Sequence, residues 1–249
     1  MSLTKKLRQA VAVSALLGTS ITAQATIVTF ETSQGDITVN LFDTQTPKTV
    51  ANFLSYVNAG TYNQSVIHRS VPSFITQGGG FTYDNGALVE LASNAAVVNE
   101  PEYSNVRGTI AMAKLGSSVD SATNQWFFNL VDNSANLDEQ NGGFTVFGQV
   151  TSGMDVVDKI AALSRCNVAL GSSVTPAPVT VDTDCAGIGF ENLVSIANVD
   201  IIDASTSTSD SLNPAKNAGG SDESSGSGGS FGWVSLFALG LVWLRRQRF

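Results

Sequence analysis

Histidine and cysteine are nearly missing from this 249-residue sequence, which has one histidine, His68, and two cysteines, Cys166 and Cys185. That scarcity excludes the usual multi-His and multi-Cys zinc sites, and no metal or cofactor is expected. Charge is thin as well: 14% of residues are charged, against roughly 25% in an average soluble chain. Six of the 13 basic residues sit at the two ends, as Lys5, Lys6, Arg8, Arg245, Arg246 and Arg248. Between residues 26 and 230 the remaining seven face 21 acidic residues, a net charge of −14. Such a body lacks the basic face that nucleic acid demands. There is no internal repeat, and no extended heptad pattern of the kind that joins chains in a coiled coil, so a monomer is expected. Hydrophobic residues at 43% are enough for a packed core and exclude disorder in the middle of the chain.

Both ends read as addresses. Residues 1–25 combine a basic start, an apolar run over Ala10–Leu17 and a small-x-small site at Ala23-Gln24-Ala25. These are the three parts of a secretory signal peptide, cut by signal peptidase before Thr26. Residues 204–230 are mostly Ser, Gly, Asp, Asn and Thr and read as a flexible linker. In the last part, 231–249, an uncharged stretch Phe231–Leu244 ends in Arg245-Arg246-Gln247-Arg248. An uncharged stretch of that length is marginal for a transmembrane helix, although the arginines suit the cytoplasmic side of an anchor. Gly228-Gly229 ahead of a short apolar helix and terminal arginines also resembles the GlyGly-CTERM sorting tails of Gram-negative bacteria. That resemblance implies cleavage by a rhombosortase and passage from the periplasm to the cell surface or beyond. Gly228-Gly229-Ser230-Phe231-Gly232 matches a nucleophile elbow, but no histidine follows it, which excludes a serine hydrolase.

Residues 26–203 have the size of one domain. Thr26–Thr32 and Ile37–Phe42 read as strands of a hairpin around Ser33-Gln34-Gly35-Asp36. Pro47 opens a helix with Thr46 as candidate N-cap and Gly60 as its stop, and Val50, Phe53, Leu54 and Val57 form its apolar stripe. A second helix is expected over Met154–Leu163. Short apolar segments at 65–75, 108–114, 126–130, 144–150 and 193–202 read as strands. The expected fold is mainly β: a closed antiparallel barrel of many short strands with two helical caps. Residues 164–192, rich in Ser, Thr, Gly and Pro, read as a loop inserted in this pattern. They carry both cysteines, which an exported protein is expected to oxidise to a disulfide between Cys166 and Cys185.

Four motifs carry the chemistry: Ile67-His68-Arg69-Ser70-Val71-Pro72-Ser73-Phe74-Ile75-Thr76-Gln77-Gly78-Gly79, Arg107–Ala113, Asn124-Gln125-Trp126-Phe127-Phe128, and Leu137 ahead of Phe144–Gly148. In this order they resemble the cyclophilin family of peptidyl-prolyl cis–trans isomerases, most closely its bacterial periplasmic branch, from Ile27 to about Ile202. The resemblance implies a closed eight-stranded antiparallel β-barrel capped by two α-helices, cyclophilin-like, with a peptide groove on its outer surface. It assigns Arg69 and Gln77 to catalysis, and Phe74, Ile75, Phe127 and Leu137 to the walls of a proline pocket. Gln125 would hold the peptide, and the backbone of Ala113 and Lys114 would pair with it. The sequence departs from the family pattern at Ile75, where methionine is common, at Trp126, and at Asn136, where many members carry an aromatic residue. Phe144 stands where eukaryotic members have histidine. The implied partners are proline-containing peptides and unfolded exported proteins.

Alone, Arg69 reads as a surface or ion-paired arginine, and Phe74, Phe127 and Leu137 read as core. His68 reads as structural. Gly78-Gly79-Gly80 lacks the Lys and Ser/Thr of a phosphate loop and reads as a turn with positive φ. The alternative to an isomerase is a non-catalytic chaperone or adaptor that holds proline segments on the same fold.

Overall fold

Alternating apolar and polar residues build the first hairpin. Ile27–Thr32 (β1) and Gly35–Leu41 (β2) pair antiparallel from Ile27↔Asn40 to Thr32↔Gly35. Val28, Phe30, Ile37 and Val39 fall on the buried face. The structure, a computed structural model, describes residues 26–180, 185, 187–204 and 212–219. The expected signal peptide and the apolar segment 231–249 lie outside these residues. Among the described residues no helix is long and apolar enough to cross a membrane.

Pro47–Asn58 (α1) starts at its proline, and Gly60 follows the helix end at φ +66, as expected of a stop. Thr46, however, does not cap it. Its hydroxyl turns back to the Phe42 carbonyl, and the Glu100 carboxylate accepts from the Lys48 and Thr49 N–H groups at 3.3 and 2.9 Å instead. A negative group on the orphan N–H donors of the first turn does the work of a cap from 51 residues away. Glu100→Ala is expected to lower stability by about 1–2 kcal/mol, read by urea unfolding, whereas Thr46→Ala loses less.

The remaining strands are Ser65–Val66 (β3), Arg69–Val71 (β4), Ile75–Gly78 (β5), Phe81–Asp84 (β6), Ala87–Glu90 (β7), Thr109–Met112 (β8), Trp126–Asn129 (β9), Val146–Ser152 (β10), Ser164–Leu170 (β11), Ser173–Val179 (β12) and Ser195–Asp203 (β13). Two helices join α1: a single turn, Ser134–Leu137 (α2), which the sequence pattern did not announce, and Met154–Ala162 (α3) at the expected place. One sheet runs β3-β13-β1-β2-β10-β8-β9-β5-β4. Its two edges, β3 and β4, are halves of one stretch of chain. Ile67 N–H bonds Val194 O on one side, and His68 N–H bonds Gln77 O on the other. That split stretch closes seven full strands into an eight-stranded barrel.

Inside the barrel, Phe30, Phe53, Tyr62, Trp126, Phe128 and Phe147 are all at most 1% exposed. Trp126 meets Phe30 edge-on at 4.8 Å between ring centres. These contacts make Trp126 a core residue behind the outer surface.

The segment read as an inserted loop is in fact a β-hairpin. β11 and β12 pair in register from Ser164↔Val179 to Leu170↔Ser173 and form a second sheet, β12-β11-β7-β6. Pro176 and Pro178 fit because β12 is an edge strand, where a missing N–H costs no ladder bond. The expected Cys166–Cys185 disulfide is present, with Cα atoms 5.5 Å apart. Cys166 packs with Phe81, Leu88, Val168 and Ala177 in a second apolar cluster.

Within the stretch read as a flexible linker, Leu212–Gly219 lies against the domain. Ser104 N–H bonds Ala215 O, Asn217 N–H bonds Glu102 O, and the Lys216 ammonium pairs with Glu102 over the Tyr103 ring.

Candidate active site

Pairing register alone lines up the polar part of the site. Arg69 on β4 faces Gln77 on β5, Gln77 faces Phe127 on β9, and Phe127 faces Ala111 on β8. Because side chains alternate along a strand, Ile75 and Gln77 share one face and Phe127 lies between the inward Trp126 and Phe128. The Arg69 guanidinium donates from Nη1 to Gln77 Oε1 at 3.2 Å, and Gln77 Nε2 donates to Gln125 Oε1 at 2.9 Å. Gly79 makes the turn at φ +82, and at Gly80 a Cβ would come within 2.6 Å of the Gln125 side chain. Glycine at 80 therefore leaves the space that Gln125 occupies.

Arg69 is half-buried, and among the described residues no carboxylate pairs with it. Burial pulls its pKa down from the ordinary arginine value, but not enough to remove the charge at neutral pH. The result is a fixed cation with an oriented amide on one side and spare donors.

The apolar walls come from a third cluster containing Ile75, Phe127 and Leu137, with Phe74, Ala113 and Phe144 packed against it. Ser73 at φ +54 turns the chain so that Phe74 follows, and the Phe74 carbonyl accepts from Leu130 N–H and Asn133 Nδ2. Leu137 ends α2. Phe127 and Phe144 meet edge-on at 5.9 Å.

All nine residues read from the motifs line one cavity of about 200 Å³: Arg69, Gln77 and Gln125, then Phe74, Ile75, Phe127 and Leu137, and finally Ala113 and Lys114. The Ala113 N–H is taken by the Gln125 carbonyl, while the Ala113 carbonyl and the Lys114 N–H bond no other described residue. The Lys114 side chain turns away to the carbonyls of Asn141 and Gly143. Burial lowers its pKa to about 8, with Asp120 opposing.

The family pattern described as cyclophilin type peptidyl-prolyl cis-trans isomerase/CLD matches residues 27–182. The chain belongs to this family. Peptidyl-prolyl cis-trans isomerase A of Dickeya dadantii is 42% identical over 163 residues, 64% of this chain and 83% of its own length. A peptidyl-prolyl cis-trans isomerase of Acinetobacter baylyi is 38% identical, covering 70% of this chain and 92% of its own. Peptidyl-prolyl cis-trans isomerase B of Escherichia coli is 37% identical, covering 63% and 97%. The crystal structure of a cyclophilin type isomerase from Cryptosporidium parvum superposes with a TM-score of 0.52 at 21% identity, over 71% of this chain and 97% of that one. At that identity the likeness concerns the fold.

Several cavity residues of this cyclophilin were not singled out as site residues: His68, Phe81, Phe144, Leu170 and Thr175. Asn136, singled out as a departure from the family, is exposed and does not line the cavity. His68 is 3% exposed, edge-on to Phe81 at 4.7 Å, with no hydrogen-bond partner for Nδ1 among the described residues. Burial first, then the neighbouring Arg69, lowers its pKa to about 3. The folded state thus holds His68 neutral where the unfolded chain takes up a proton. Stability from this group is full above pH 6.5 and falls as pH drops toward 3, by at most about 1.4 kcal/mol per unit. Urea unfolding from pH 7 to 4 is expected to show that slope in the parent and a shallower one in His68→Gln.

Proposed function

We propose that this cyclophilin accelerates cis–trans isomerisation of X-Pro bonds in exported proteins, without covalent chemistry, and that Arg69 stabilises the twisted amide. The observation that carries the reading is a guanidinium that no carboxylate among the described residues pairs with, held by Gln77 at the side of an apolar cavity. Isomerisation must cross a barrier of about 18–20 kcal/mol because amide resonance is lost as the C–N bond twists. No bond to the protein forms, so no nucleophile or base is needed. At the twisted geometry the proline nitrogen becomes pyramidal and regains a lone pair. A fixed donor aimed at it stabilises that geometry more than the planar one.

Arg69 supplies the donor, and Phe74, Ile75, Phe127 and Leu137 hold the ring and keep water from competing. Gln77, which the family resemblance places in catalysis, acts by positioning the guanidinium, and Gln125 holds the peptide. The open Ala113 carbonyl and Lys114 N–H are suited to pairing with an extended substrate backbone.

The place of action is the periplasm of a Gram-negative bacterium, with onward passage to the surface after tail processing. The three-part segment 1–25 and Gly228-Gly229 before the apolar, arginine-ended tail support this. Signal peptidase and rhombosortase would be the processing partners. Intact-mass analysis of the protein recovered from cells tests it: a start at Thr26 and loss of 231–249 are expected. A retained N-terminus contradicts export, and a retained tail makes 231–249 an anchor instead of a sorting signal. The activity itself is tested by the cis-to-trans rate of an Ala-Pro peptide. Acceleration that disappears with Arg69 is the expected result, and none from the folded parent contradicts the reading.

A further inference from the structure

We propose that the β11–β12 hairpin builds a second subsite in the groove, one that takes an apolar side chain within two residues of the substrate proline. The proposal rests on the isomerase reading and adds a substrate class to it.

The cavity is lined from two separate apolar clusters. Phe127, Leu137 and Ile75 belong to one; Phe81, with Leu170 packed against its cluster, belongs to the other. The Arg69–Gln77–Gln125 row belongs to neither and shares the cavity with both. If the proline ring occupies the first wall beside Arg69, the second wall is left for another part of the same peptide. An extended chain advances about 3.3 Å per residue, so a side chain one or two residues from the proline comes within reach.

The hairpin presents no charge to this wall. Cys166, Val168 and Leu170 share one face of β11, and Thr175, Ala177 and Val179 share the facing side of β12. Such a lining favours Leu-, Ile- or Phe-like side chains and disfavours Asp or Glu, whose charge would be desolvated without a partner. It is also held in place. The Thr175 hydroxyl, 4% exposed, donates to the His68 carbonyl at 3.0 Å, one residue before Arg69. The Cys166–Cys185 bridge and the bond from Tyr83 Oη to Ile188 O at 2.6 Å fix the hairpin from the other side. A wall locked to the strand that carries the guanidinium selects by shape at little cost in ordering.

The test uses the full chain and Ala-based proline peptides with Gly or Leu placed in turn at each of the two positions before and the two positions after proline, each rate normalised to its uncatalysed rate. Leu at one of the four positions is expected to raise kcat/KM about tenfold over Gly. Leu170→Ser should cut that ratio below about threefold, and Leu170→Phe should turn the preference toward the smaller residue by filling the wall. Val174→Ser, on the exposed opposite face of β12, should keep the tenfold ratio and serves as the control for a disturbed hairpin. Isomerisation without a Leu preference, or a preference that survives both Leu170 variants, overturns the subsite and leaves the isomerase standing. Failure of the parent to accelerate any of the peptides overturns the isomerase reading itself.

Discussion

Replacing Arg69 by alanine is expected to lower kcat/KM for an Ala-Pro peptide by about 10²–10³-fold, the effect of removing one donor aimed at the charge of a transition state. In free energy this is about 3–4 kcal/mol, a minor share of a barrier near 20 kcal/mol. Arg69→Lys should recover little, because a single ammonium cannot both bond the Gln77 carbonyl oxygen and keep a rigid planar donor on the substrate. The same geometry predicts what the variant does not do. Arg69 has no ion pair among the described residues, and its charge is partly desolvated. Its loss should therefore leave the melting temperature unchanged or higher. Peptide kinetics beside a thermal melt separate this from a structural role, in which activity and melting temperature would fall together.

Opening the Cys166–Cys185 bridge is expected to have the largest effect on stability. It joins residues 19 apart in sequence, and a closed loop of that size contributes about 3 kcal/mol by restricting the unfolded chain. At about 2–4 °C per kcal/mol for a domain of this size, the melting temperature should drop by about 6–12 °C under reducing conditions. Differential scanning calorimetry of the oxidised chain, with and without dithiothreitol, reads it directly. Since the bridge holds the hairpin that carries Leu170 and Thr175, reduction should also weaken the preference for apolar neighbours of proline. An unchanged melting temperature would mean that the hairpin is held by its apolar face alone.

The first hairpin, α1 and α3 were readable from apolar alternation and helical period, whereas the site residues were readable only through the order of four motifs that resembles the family, since alone Arg69 reads as surface and Phe127 as core. Ile75, Gln77 and Phe127 are brought into one cavity by strand register, and register follows from which face must be buried. What escaped has a different origin. Composition concealed the β11–β12 hairpin: Ser, Thr and two prolines suggested a loop, although Cys166, Val168 and Leu170 already alternated. Leu212–Gly219 was concealed in the same way, since its docking rests on backbone bonds to Glu102 and Ser104 and on one lysine over Tyr103. The cap of α1 escaped for want of locality. Thr46 is the right residue type in the right place, yet Glu100 satisfies the donors from another part of the fold, and no local rule reveals a partner so distant. His68, read as structural, lies buried edge-on against Phe81, a neighbour supplied by the second sheet that no local spacing reveals.

The central claim is that the groove catalyses rotation and does not merely hold proline. The most direct measurement is NMR exchange between the cis and trans forms of a bound X-Pro peptide, at saturating peptide, for the parent and Arg69→Ala. The account predicts exchange many times faster than in free peptide for the parent, and bound but slowly exchanging peptide for the variant. Saturable binding to the parent with exchange no faster than in solution would contradict it and make the chain a proline-segment holder.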